Sequence, residues 1–201
     1  MSWIDIIPYE KATGKLKKLF DRVKGPDNNV DNIMLVHSLR PHTMTGHMAL
    51  YKNVLHNSNN TIPKWFLETI GVYVSQLNEC DYCVEHHLNG LKKLLNDEDH
   101  FSRIQLNLQS EQFVEMFDEK FEKALLYAKT LSLNPASVSK KDIDELLVAG
   151  FTHGEVLEIN QVTAYFNYAN RTVLGLGVNT EGDILGLSPN NSSEENNWNH
   201  Q

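Results

Sequence analysis

Cysteine is scarce in this sequence, with two among 201 residues, Cys80 and Cys83. Two cysteines cannot supply the framework of a disulfide-stapled secreted domain, and they are too few for a structural zinc site built on paired thiolates. Long apolar runs are missing as well: none approaches the ~18 residues that a membrane helix needs. The opening residues, Met1-Ser2-Trp3-Ile4-Asp5, lack the basic and then apolar profile of a signal peptide. There is no basic excess. The net charge is -8 with the two signs interspersed, so no basic stripe is present for nucleic acid. Persistent strand alternation, internal repeats and a dividing linker are absent too. These absences lead to the expectation of a cytoplasmic protein with one sizeable domain and no nucleic-acid or membrane partner. In a reducing compartment, two cysteines read as redox or metal chemistry rather than as a structural staple.

What the chain does have is helical periodicity. Residues 1–8 read as extended. The spacing then predicts helices over 9–24, with Leu16, Leu19, Phe20 and Val23 on one side, and over 31–38 and 41–57. Another helix runs to about residue 77, with Thr61 as a candidate cap and Pro63 in its first turn. Further helices are predicted over 80–95, irregularly within 96–117, over 118–131, over 139–149 and from Thr152 to about 174. Ser139/Asp142 and Thr152/Glu155 both have capping-box spacing. The helix from Thr152 is apolar on more than one face, which makes it either central or shared with another subunit. The fold class is therefore all-α, a single helical domain over 1–187. A tail over 188–201, rich in Asn, Ser and Glu, is expected to be disordered.

The chemistry is concentrated in Asn78-Glu79-Cys80-Asp81-Tyr82-Cys83-Val84-Glu85-His86-His87. On a helix at about 100° per residue, Cys83 lies about 60° and His87 about 20° from Cys80. His86 falls about 120° away and Tyr82 on the far side, so the spacing selects His87 as the partner of the thiols. A Cys-x-x-Cys pair at a helix start lets the unpaired amides and the helix dipole stabilise a thiolate. The second thiol can then close a disulfide on the oxidised first, and a histidine one turn on can take or relay a proton. This suits peroxide reduction without a bound cofactor: thiolate attack, sulfenic acid, disulfide, external reductant. His87 at i+4 favours Cys83 as the attacking residue and Cys80 as the resolving one. Helix geometry leaves the reverse open, because the first cysteine of such pairs often has the lower pKa. The alternatives are inert buried cysteines, a non-catalytic redox sensor or scaffold, and a metal site of Cys80, Cys83 and His87.

With Glu68 twelve residues before Cys80, the set Glu68, Cys80, Cys83 and His87 resembles the alkylhydroperoxidase D family, within the carboxymuconolactone decarboxylase superfamily. The stretches 74–83 and 161–171 are similar to its peroxidase-related branch, and the resemblance extends over most of 1–180. It implies an all-helical homo-oligomer acting on a small hydroperoxide substrate. Protons would pass among Glu68, His87 and the cysteines, and an external dithiol or lipoyl-type reductant would reset the disulfide. In an unbroken helix Glu68 would sit about 120° off the thiol face, so a break near Asn78 must bring it round. The best-known branch has a histidine where this chain has Tyr82, which can donate a hydrogen bond but is no base near neutral pH. Lactone decarboxylation is the weaker enzymatic reading, since that branch lacks the cysteine pair.

Overall fold

The structure, a computed structural model, describes residues 2–194 and 196–200, with Glu115 described by its backbone alone. Among these residues there are nine α-helices and no strand; one isolated antiparallel bridge joins Pro189 and His200. The helices are α1 Gly14–Val23, α2 Asn32–Leu35, α3 Pro41–Leu55, α4 Lys64–Leu77 and α5 Asp81–Leu95, followed by α6 Glu98–Ser110, α7 Glu119–Leu133, α8 Lys140–Val148 and α9 His153–Leu176. No helix is long and apolar enough to cross a membrane among the described residues.

The bundle is built round α4. Every residue from Phe66 to Ser75 is buried, as a helix packed on several sides requires. It lies against α5 along one side and against α9 and α7 along the others. Gly71 makes the α4–α9 approach possible: a Cβ there would fall 2.2 Å from the Phe166 ring. The long helix α9 is held at its start by the capping box of Thr152 and Glu155, and it ends at Gly177 with φ +61°. Its apolar surplus is shared out. Val162, Phe166 and Val173 enter the core, whereas Leu157, Tyr168 and Leu174 remain exposed.

Two local expectations are corrected. Thr61 does not cap α4; its N–H and hydroxyl both donate to Glu158 of α9, and Pro63 occupies the cap position. Segment 96–117 contains a regular helix, α6, capped by the Asp97 carboxylate accepting from the His100 N–H.

The tail is the larger difference. Residues 195 and 201 lie outside the described residues, but 188–194 and 196–200 are folded onto the body rather than loose. Trp198 and His200 are buried, and the Arg22 guanidinium stacks 3.6 Å over the Trp198 ring. The amine of Lys52, itself fully buried, donates to the Asn190 carbonyl and to Ser192 Oγ. Composition hides this because two aromatic anchors and one buried cation hold a segment that is otherwise polar.

Candidate active site

The α4–α5 connection sets the geometry. Helix α4 ends in a Schellman turn: the Glu79 N–H donates to the Gln76 carbonyl and the Cys80 N–H to the Ser75 carbonyl, at 3.0 and 2.9 Å. The left-handed position, usually glycine, is held by Glu79 with φ 54°, a conformation that costs a non-glycine residue about 1 kcal/mol. An asparagine network secures it. Asn78 Nδ2 donates to Asn170 and Asn167 on α9, and Asn170 Nδ2 donates to Ser75 Oγ. The turn is the break that reverses the chain and sets Glu68 of α4 opposite His87 of α5.

Cys80 is the N-cap residue of α5 and Cys83 lies in its first turn. Both are free thiols and both are buried. They share a hydrogen bond, and Asn170 donates to the pair. The Cys83 S–H stabilises a Cys80 thiolate, which lowers the Cys80 pKa; that same donation, together with burial, holds the Cys83 proton more tightly. The two residues face different ways. Cys83 lines a partly open cavity of about 40 Å3, whereas Cys80, with no exposed surface, lies beneath an open groove bordered by Leu108 and Glu111.

Glu68 and His87 border the same cavity as Cys83. His87 Nδ1 donates to Glu68 Oε2 at 2.8 Å, with the carboxylate side chain only 5% exposed. That bond fixes the tautomer and leaves Nε2 as the basic nitrogen. The edge-on contact of Phe166 with the His87 ring, centroids 4.6 Å apart, holds its orientation. The predicted set is thus brought together round one cavity, except that Cys80 serves it from behind.

Several cavity residues were not found by spacing. His86 is on the cavity wall too, its Nε2 donating to Asp183 Oδ2 at 3.1 Å. Tyr82, anticipated as a hydrogen-bond donor, donates to Asp183 at 2.7 Å and accepts from the Ile33 N–H. Asp31, Tyr51, Tyr165 and His200 complete much of the lining. Burial pushes the phenols of Tyr51, Tyr82 and Tyr165 well above their ordinary value, so they remain donors. Burial also lowers His47 to about 3 and His200 to about 4, so both stay neutral near pH 7. Among the described residues no cluster of three His, Cys, Asp or Glu side chains is arranged to hold a metal ion. The aspartates come from distant loops and carry no local sequence signal; Asn170 lies within the 161–171 stretch.

No family model matches the sequence, and no curated protein is significantly similar to it. Solved structures do match. An uncharacterized peroxidase-related protein from Ralstonia eutropha JMP134, described as an alkylhydroperoxidase AhpD core, superposes with a TM-score of 0.76 at 21% identity, over 92% of this chain and 96% of that one. An uncharacterized peroxidase-related protein from Silicibacter sp. TM1040 gives 0.72 at 22% identity, over 92% of each chain. The debrominase Bmp8 in its apo form gives 0.66 at 19% identity, over 82% of this chain and 85% of that one. The chain therefore has the all-α AhpD-like fold.

Proposed function

We propose that this protein is a thiol-dependent peroxidase that reduces a small hydroperoxide through a Cys80–Cys83 dithiol–disulfide cycle. The observation that carries the reading is the placement of Cys83 on one small cavity together with the Glu68–His87 pair. His87, oriented by Glu68, takes one proton from the cysteine pair and leaves the second shared between the sulfurs. When peroxide enters, that proton passes from Cys83 to Cys80, and the Cys83 thiolate so formed attacks the peroxide. The O–O bond breaks, an S–O bond forms, and an alcohol or water leaves. The Cys80 thiol then displaces the hydroxyl of the Cys83 sulfenic acid as water, and an S–S bond closes. An external dithiol, of lipoyl or similar type, returns two hydrogens by thiol–disulfide exchange. The open groove above the buried Cys80 is the face on which it would dock, with access to the sulfur requiring local opening.

The fold alone does not select this chemistry, since Bmp8 is a debrominase crystallised with 2,3,4-tribromopyrrole. Size supports the peroxide. A water needs about 10–15 Å3 of cavity space, so a cavity of about 40 Å3 suits hydrogen peroxide or a short alkyl hydroperoxide better than a tribrominated ring. A cytoplasmic setting would keep both thiols reduced. The exposed apolar residues of α9 offer a surface for a homo-oligomer.

Two single variants test the assignment. Cys83→Ser abolishes peroxide turnover. Cys80→Ser still consumes one equivalent of hydroperoxide and stops at a Cys83 sulfenic acid, which dimedone captures. Full turnover by Cys83→Ser, or loss of peroxide reactivity in Cys80→Ser, contradicts these roles for the two cysteines.

A further inference from the structure

The wall of the cavity formed by the α2 start and the 178–187 segment carries an arrangement the thiol chemistry above does not use. Asp31 occupies the N-cap position of α2. An aspartate there ordinarily accepts from the amides of its own first turn. Asp31 makes no such bond. The cap is supplied from elsewhere: Asp183 accepts the Asn32 N–H with both carboxylate oxygens, at 3.0 and 3.1 Å. Asp183 also accepts hydrogen bonds from Tyr82 and His86. Asp31, relieved of capping, is buried and lines the cavity that Cys83 lines. Among the described residues no group hydrogen-bonds its carboxyl.

We propose that Asp31 is the acid that protonates the oxygen leaving from Cys83. The inference rests on the peroxidase reading and adds the missing half of its first step. Attack by the Cys83 sulfur on ROOH puts two electrons into the O–O bond and releases RO⁻. In water that base is solvated; in a partly open cavity of about 40 Å3, with room for little water, it needs a donor. Asp31 gives its proton and ROH forms. The proton that His87 took from the cysteine pair then restores Asp31, and the sum is two thiols plus ROOH giving disulfide, ROH and water. The groups that face Asp31 are consistent with a carboxyl that keeps its proton up to near pH 7. Burial and the negative charge of Asp183 raise it, His86 opposes them, and the outcome is about 7, close to the value at which an acid works best at neutral pH.

The test is the response of Asp31→Asn to two small peroxides with different leaving groups. Hydrogen peroxide expels hydroxide, a strong base that requires a proton; peracetic acid expels acetate, which does not. Oxidation of the thiols is followed by stopped-flow fluorescence at pH 7. Asp31→Asn is expected to react about 100-fold more slowly with hydrogen peroxide and at nearly the wild-type rate with peracetic acid. An equal loss with both peroxides would make Asp31 structural, and no loss with either would remove it from the reaction; each overturns the proposal. If the wild-type thiols are oxidised by neither peroxide, the peroxidase reading itself fails and the role of Asp31 falls with it.

Discussion

The burial of Asp31 makes a second, purely thermodynamic prediction. Its carboxyl has an ordinary pKa of 3.8 and is raised to about 7 in the fold, first by burial and then by the charge of Asp183, against the opposing effect of His86. The folded protein therefore keeps the Asp31 proton where the unfolded chain has lost it. Stability must fall as pH rises from about 4 to about 7, and the full penalty is present above pH 7. The interval from 3.8 to about 7, at about 1.4 kcal/mol per tenfold change, amounts to about 4 kcal/mol. That is a large share of the 5–15 kcal/mol typical of a domain. Asparagine has nearly the same shape and cannot ionise, so Asp31→Asn carries no such penalty. Urea unfolding of both proteins, followed by tryptophan fluorescence between pH 4 and 8, measures it. The remaining titrating groups are common to both and cancel in the difference. That difference should move by about 4 kcal/mol in favour of Asp31→Asn between the two ends of the range. Parallel curves would show that Asp31 ionises normally, and the account of this cavity wall would be wrong.

Two further outcomes follow from packing. In Gly71→Ala the new methyl would lie 2.2 Å from Phe166, whose ring abuts His87. The variant should lose about 1–3 kcal/mol in urea unfolding and oxidise its thiols more slowly; unchanged stability and rate would remove Phe166 as the brace of that histidine. Trp198→Ala releases the anchor of residues 188–194 and 196–200, of which Ser188 and His200 line the cavity. It should raise the rate with cumene hydroperoxide relative to hydrogen peroxide, and a constant ratio would mean that this segment sets no size limit.

The all-α fold and most helices were legible because apolar residues recur at helical spacing and because the capping boxes at Ser139 and Thr152 mark helix starts. The thiol-to-His87 arrangement was legible for the same reason, being local to one helix. Glu68 was not, because read alone it is an ordinary helix carboxylate. Its burial depends on the turn at 78–80, where Glu79 adopts a conformation that favours glycine. His86 was set aside by the same helical-wheel geometry that selected His87. Angular position on α5 is a poor guide there because the cavity wraps round the helix toward Asp183, 97 positions away. Asp31 and Asp183 meet their partners only through tertiary packing, and no periodicity announces them. The packing of the tail is not legible, because composition averages over Trp198 and His200, which are buried.

The measurement that tests the central claim most directly is intact-protein and peptide mass spectrometry of the reduced protein after brief exposure to one equivalent of hydroperoxide. The account predicts the loss of two hydrogens, mapped to a Cys80–Cys83 disulfide and reversed by a dithiol. An unchanged mass, with both thiols still reduced, would contradict it.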